Sequence, residues 1–259
     1  MNKIAFPSLR AALVALTIGA TTALAPLPAA AFDASEKEKI ETIIRDYLLT
    51  NPELMLEVQQ ALEAKQKAAQ SIAAKAALEE NREAIFNSPN QGVIGNAEGD
   101  VTVVEFFDYN CGYCQRAMQD MNVLLEGDKQ LKFVMKELPI LSQGSVEAAQ
   151  ISTAVYRLLP QRYGEFHNKL LAIDGPKDGN RARQVADEMG LDVAALEAEA
   201  SKEDVFEAFR EANTLANSLG MNGTPSYVIG DEILFGALGA DVLREKIANV
   251  RKCGSANCD

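Results

Sequence analysis

From Val101 to Phe107 every residue except Glu105 is β-branched or aromatic, a run that predicts a buried strand. Asp108, Tyr109 and Asn110 break it, and from Cys111 onward the spacing turns helical. Cys114, Met118, Met121 and Leu125 then fall near one face. The pattern is strand, tight turn, helix. Gly92 to Gly95 predicts a short edge strand, and Leu131 to Met135 another strand, with Lys136 to Pro139 as its exit. Between Gln143 and about Leu219 the spacing is helical throughout. Leu159-Pro160, the stretch Asp174 to Gly179, and Gly190 divide it into four or five helices. Gly223-Thr224-Pro225 leads into Ser226 to Ile229, a turn at Gly230-Asp231, and Glu232 to Phe235, which together predict a hairpin. Ala240 to Val250 closes as a helix. Strands on both sides of a helical insertion, residues 143–219, predict an α/β domain over residues 88–259.

Residues 32–87 read differently. Ser35-x-x-Glu38 suggests a capping box, after which Ile40, Ile44 and Tyr47 recur at helical spacing. Thr50-Asn51-Pro52 interrupts, with Asn51 as a new N-cap and Pro52 as the first helical residue. Leu54, Val58, Ala61, Leu62 and Ile72 continue the apolar stripe among Ala, Lys, Glu and Gln. So long an amphipathic stretch ahead of a compact domain has little of its own chain to pack on, which suggests self-association as a helical stalk. Folding back on the domain is the alternative. Ala68 to Ala77 reads as a semi-rigid spacer.

Composition narrows the function. Residues 1–31 carry Lys3 and Arg10, an apolar run from Ala11 to about Ala25, and Ala29-Ala30-Ala31, which together read as a cleaved signal peptide. That segment holds no acid, so its removal moves the formal charge from −12 to −14. A chain this acidic is a poor partner for nucleic acid or anionic lipid. Export places four cysteines in an oxidising compartment.

The candidate chemistry sits at the strand-to-helix junction. Cys111 and Cys114 enclose Gly112-Tyr113 at the first turn of a helix. Unpartnered amides and the positive end of the helix dipole favour a thiolate there, and thiolate is the species that attacks a disulfide. Cys111 is expected to be the exposed nucleophile and Cys114, one turn inward, the resolving thiol. Glu105 lies mid-strand, where a carboxylate needs a partner or a task. It is expected beneath the pair, exchanging protons with Cys114.

Cys253 and Cys258 flank Gly-Ser-Ala-Asn near the end of the chain and read as a local structural disulfide. Joining them to Cys111 and Cys114 as four zinc ligands is the competing arrangement, disfavoured by the wide second spacing. A cysteine hydrolase is disfavoured because His167, the one histidine, lies inside a helical pattern with nothing to mark it as a base. Met118 and Met121 read as core rather than as copper ligands. No metal site and no cofactor is expected.

The motif Cys111-Gly-Tyr-Cys114, its Val-Glu-Phe-Phe lead-in, the helical insertion and Gly223-Thr224-Pro225-Ser226 together resemble the DsbA family of thioredoxin-fold disulfide oxidoreductases. The resemblance spans about Gly92 to Val250. It implies a thioredoxin fold in which Pro225 is cis and packs against the cysteine pair. It also implies that Gly112, Tyr113, Thr224 and Pro225 contact substrate, and that Glu105 is the family's buried acid. Typical oxidases of the family carry Pro-His between the cysteines. Gly112-Tyr113 lacks that histidine donor, so the disulfide is expected to be less oxidising. The N-terminal helices also depart from monomeric oxidases. Both features resemble the ScsC-like branch: periplasmic oligomers, with a trimer favoured, having isomerase or reductase activity and a link to copper tolerance. The branch implies two kinds of partner, exported proteins with wrong or missing disulfides and a membrane thiol reductase of the DsbD or ScsB type. A dithiol oxidase and a copper(I)-sequestering thiol protein remain the alternatives.

Overall fold

The computed structural model describes residues 33–258, so the expected signal peptide lies outside the described residues. Within them, five strands form one sheet in the order β1-β3-β2-β4-β5. They are β1 (Gly92–Gly95), β2 (Val101–Phe107), β3 (Leu131–Glu137), β4 (Ser226–Ile229) and β5 (Glu232–Phe235). Only β2 and β3 run parallel; β1 on β3, β4 on β2 and β5 on β4 are antiparallel. The crossover between the parallel pair is α4 (Gly112–Gly127). β2 is nearly all buried because it is central and covered on both faces, which is why its sequence does not alternate.

The two faces of the sheet divide the core. Val103 and Phe107 of β2 pack with Cys114, Met118 and Met121 of α4 and with Leu243 and Ile247 of α10 (Ala240–Cys253). On the opposite face Val104 and Phe106 pack with Val134, Val228, Leu215 and Leu219. The insertion holds five helices, α5 (Gln143–Leu158), α6 (Pro160–Ala172), α7 (Gly179–Glu188), α8 (Val193–Ala200) and α9 (Glu203–Ser218). Their starts are set by short polar caps. Ser142, Asp178 and Asp192 accept from the amides of Ser145, Arg181 and Ala195, and Pro160 occupies the first turn of α6. At the β4–β5 turn Gly230 has φ +61°, a backbone conformation that glycine supplies without steric cost.

The N-terminal helices are α1 (Ala34–Thr50), α2 (Glu53–Glu80) and α3 (Arg82–Phe86). The capping box forms two residues earlier than expected. Asp33 accepts from the Glu36 amide while the Glu36 carboxylate accepts from the Asp33 amide. Asn51 closes α1, and α2 begins at Glu53, one residue after Pro52. The spacer expected over Ala68 to Ala77 is continuous helix.

The chain divides into two compact units, 33–59 and 60–258 of the described residues. In the first, α1 has no buried residue. The second begins well before the boundary expected at residue 88. Leu78 of α2 and Ile85 of α3 are fully buried in the Val104–Phe106 face of the core. Lys136 of β3, itself buried, donates to the Ala84 carbonyl and to Glu211, which fixes α3 to this unit. The last part of the expected stalk therefore belongs to the core of the second unit.

Candidate active site

Cys111 is the N-cap residue of α4, with extended backbone, and Gly112 begins the helix. The Thr224–Pro225 peptide bond is cis, and the loop that contains it lies against the cysteine. The Cys111 thiol donates to the Thr224 carbonyl at 3.1 Å. Cys111 is less open than expected. Only 8 % of its surface is exposed, because the Thr224–Pro225 loop comes across from the far side of the insertion to cover it. Cys114, one turn in, is fully buried, and both thiols are free. Tyr113 is exposed, with Arg116 stacked on its ring at 4.3 Å. Beside it a groove of 420 Å³ runs past Thr224, Pro225 and Phe235. Gly112 stands open, and a Cβ there would meet no atom within 4 Å. Of the four residues expected to contact substrate, Thr224 meets the sulfur itself, Gly112 and Tyr113 follow it at the helix start, and Pro225 lines the same groove as Tyr113 and Thr224.

The electrostatics separate the two thiols. Cys111 is lowered from 9.0 to about 5. The Cys114 thiol donating to its sulfur is the main cause, followed by the Thr224 hydroxyl and the Cys114 and Tyr113 amides, against an opposing effect of burial. The Thr224 hydroxyl is buried and otherwise without a partner, so the thiolate is its natural acceptor. Cys114 is pushed far up, first by burial, then because Cys111 holds its proton and the Glu105 charge disfavours a second anion beside it.

Glu105 lies on β2 and is 2 % exposed. Cross-strand register places it on the same face as Tyr227, its direct partner on β4, beneath α4. Burial lifts its carboxyl from 4.5 to about 8, with the nearby charges of Cys111 and Asp120 adding to the shift. A group poised there can take a proton from one neighbour and return it at neutral pH.

The turn that carries Cys111 is fastened at both ends. Asp108, buried, accepts from the Asn110 and Leu141 amides. The Asn110 side chain exchanges hydrogen bonds of 2.7 Å with the Lys177 amide and carbonyl. Tyr109 donates or accepts at Ser152 over 2.6 Å and reaches His167 Nδ1 at 3.3 Å. His167 is wholly buried and lowered to about 3 by burial, so it stays neutral and structural. The sequence pattern singles out neither Asn110, Tyr109 nor the Thr224 hydroxyl. The Asp-Tyr-Asn break after the strand is the one available signal.

Cys253 and Cys258 form a disulfide. The loop they close is clasped by Asp231, which accepts from the Ala256 amide and the Ser255 hydroxyl. Paired in that way they cannot join Cys111 and Cys114 as thiolate ligands. Among the described residues no three His, Cys, Asp or Glu side chains are grouped to hold a metal ion.

Comparison with known families settles the class. Residues 102–248 match the DSBA-like thioredoxin domain. The chain belongs to the DsbA-like thioredoxin family. Residues 36–69 match a second family, the N-terminal domain of the copper resistance protein ScsC. Among solved structures, a thioredoxin-like oxidoreductase from Silicibacter pomeroyi is 39 % identical, covering 67 % of this chain and 99 % of its own, with a TM-score of 0.64. ScsC of Proteus mirabilis in a compact conformation is 25 % identical, covering 84 % of this chain and 99 % of its own, with a TM-score of 0.63. A curated relative, disulfide bond formation protein D of Bacillus subtilis, is 23 % identical over 185 residues, 65 % of this chain and 82 % of that protein. This DsbA-like chain, with its ScsC-type N-terminal region, is a thiol-disulfide oxidoreductase.

Proposed function

We propose that the protein is an exported, oligomeric disulfide isomerase and reductase in which Cys111 attacks and Cys114 resolves. The Cys111 thiolate attacks one sulfur of a substrate disulfide. That S–S bond breaks, a mixed disulfide forms, and the other substrate sulfur leaves as thiolate. In isomerisation a different substrate thiolate attacks the mixed disulfide, a new substrate disulfide forms, and Cys111 is returned unchanged. In reduction Glu105 takes the Cys114 proton, Cys114 attacks Cys111, and the substrate leaves as a dithiol while Cys111–Cys114 is oxidised. A membrane thiol reductase would then restore the dithiol by supplying two electrons. Substrate backbone would run extended along the Tyr113–Pro225–Phe235 groove.

The observation that carries the direction of the chemistry is the exposed apolar stripe of the N-terminal helices. Ile43, Ile44, Tyr47, Leu49, Met55, Leu56, Val58 and Leu62 are each more than half exposed. An apolar surface of that extent marks an association site. Self-association, with a trimer favoured, would hold several dithiols around one substrate and hinder docking of an oxidising partner. The absence of a histidine between Cys111 and Cys114 also favours a less oxidising disulfide. The similarity to ScsC extends across these helices, and the solved ScsC forms are described as compact and transitional.

A copper(I) role has one specific support, the match of residues 36–69 to a copper resistance protein. Paired thiolates suit that soft ion. The two readings separate by stoichiometry, because sequestration consumes one protein per ion and refolding of scrambled substrate turns over.

Deleting Asp33 to Gln59 tests the assembly and spares the Leu78–Ile85 part of the core. The expected result is a smaller solution mass, loss of isomerase activity on scrambled substrate and gain of dithiol oxidase activity. An unchanged mass would refute the stalk.

A further inference from the structure

β5 lies at one end of the sheet, so its outer edge has no partner strand. Register fixes which backbone groups that edge presents. The Gly236 amide donates to the Pro225 carbonyl, so along this antiparallel pair Leu234 bonds to β4, while Ile233 and Phe235 turn their amides and carbonyls outward. Within the same unit a groove of 730 Å³ separates this strand from α2. Ile233, Phe235, Lys67, Ser71 and Ala74 are among its walls. Lys67, Ser71, Ala74 and the buried Leu78 recur at helical spacing on one face of α2. The face that Leu78 anchors in the core therefore continues as small and basic residues opposite the open edge.

This groove is continuous with the one beside Cys111, because Asn222 and Phe235 line both. Phe235 pairs with Ser226, the residue after Pro225, and Glu232 lies at the far end of the strand. A polypeptide held on Cys111 and passing Pro225 thus reaches the β5 edge at the half-exposed Phe235 ring. Charge then selects what it carries. Of the acids in the groove, Asp231 accepts from the Ser255 hydroxyl and the Ala256 amide, and Glu232 pairs with Lys246 at 2.7 Å. Lys75 is near enough to help hold the Asp231 carboxyl below its usual range. Neither Lys75 nor Lys67 is in an ion pair among the described residues. In a chain of formal charge −12, the uncommitted charge of this groove is positive.

We propose that the outer edge of β5 and the facing row of α2 bind an extended, acidic segment of the substrate polypeptide as an added strand. The Ile233 and Phe235 backbones supply main-chain hydrogen bonds, which suit an unfolded substrate of any sequence, and Lys67 and Lys75 add a preference for carboxylates. This subsite rests on Cys111 being the group that attacks the substrate disulfide, as proposed above.

The test uses the full reduced chain and short peptides whose one cysteine carries nitrothiobenzoate as a mixed disulfide. Cys111 takes the peptide sulfur, and nitrothiobenzoate leaves as a coloured thiolate that reports the rate. One peptide has glutamates several residues from the cysteine on both sides, and its control has glutamines there. The acidic peptide is expected to react about tenfold faster at low salt, against the net charge of the chain, which is the lower end of what charge complementarity adds to association rates. Lys67→Gln with Lys75→Gln should bring the two rates together, with the pH midpoint for alkylation of Cys111 and the solution mass unchanged. In acidic peptides methylated on alternate backbone nitrogens, one register should lose the advantage and the other keep it, because only every second amide of an added strand faces β5. Equal rates for the acidic and control peptides overturn the subsite, as does an advantage that survives loss of both lysines. Methylated registers that react alike overturn the added strand. A double variant with altered mass and parent rates assigns the groove to contact between copies, and overturns the subsite too. If neither peptide reacts and scrambled protein is not refolded, the attacking role of Cys111 falls with it. Normal refolding without the acidic preference refutes only the subsite.

Discussion

Two helices of nearly equal length, α1 with seventeen residues and α4 with sixteen, carry comparable apolar stripes. In α4 the stripe of Cys114, Met118 and Met121 is covered by the sheet, and five residues are buried. In α1 none is, and Ile43, Ile44 and Tyr47 face outward. The difference teaches what amphipathicity encodes. A stripe states that one face needs cover, and says nothing of whether the same chain or another copy supplies it. For α4 the cover is the crossover geometry between parallel strands. For α1 the cover proposed is a second copy.

A single charge separates the cases most sharply. Ile44→Glu places a carboxylate on the α1 stripe. On a monomer it would be an ordinary surface change, worth within about 0.5 kcal/mol. In an oligomer each copy would bring an unpaired charge to the shared interface, at a cost of several kcal/mol. The expected outcome is dissociation to single chains with the dithiol site intact, read as solution mass beside alkylation of Cys111. Met121→Glu, the same insult on α4, should instead unfold the catalytic unit. If Ile44→Glu keeps the parent mass, the α1 stripe is not where the copies meet.

The second contrast lies within α2 alone. Ile72 is 72 % exposed and Leu78, six residues on, 1 %. Leu78→Ala should cost about 3 kcal/mol of unfolding free energy through the lost transfer and the cavity left behind. Ile72→Ala should cost within about 0.5 kcal/mol, both changes being read by urea titration of the chain beginning at Gln60. Equal effects at the two sites would mean that α2 does not hand over from free helix to core between them.

How far such features show in the sequence depends on whether their cause is local. The strands are legible because Val101–Phe107 and Ser226–Ile229 are apolar runs bounded by turn residues. The place of Glu105 under the cysteine pair follows from its position in the strand. The capping box lies two residues upstream of the expected one because Asp33-x-x-Glu36 and Ser35-x-x-Glu38 fit the same pattern, and the upstream box lets the helix start earlier. The burial of Cys111 is not legible. It comes from Thr224, more than a hundred residues away, and no local pattern records that approach. Leu78 and Ile85 read as stalk because their helical spacing is continuous with it, while the surface that covers them is assembled from β2, β3, β4 and α9.

The smallest effect expected is a change of slope with pH. In the reduced protein the Cys111 thiol is depressed from 9.0 to about 5. Its stabilisation is present above pH 9 and is lost as pH falls through 5. Glu105 acts in the opposite sense. Its carboxyl is raised from 4.5 to about 8, so its contribution is present below pH 4.5 and is lost as pH rises through 8. The two windows overlap between about pH 5 and 8, where they offset each other. His167, depressed from 6.5 to about 3, adds stability as pH rises across the lower part of that range, and does so in every variant. Glu105→Gln should therefore make the stability of the reduced protein rise more steeply from pH 5 to 8 than in the parent. Cys111→Ser should make it rise less steeply than in the parent, with Glu105 no longer opposed by Cys111. Urea midpoints of the reduced proteins at pH 5, 6, 7 and 8 measure both slopes. Parallel profiles for parent and Glu105→Gln would mean that the carboxyl beneath the cysteines titrates in the folded chain as it does in the unfolded one.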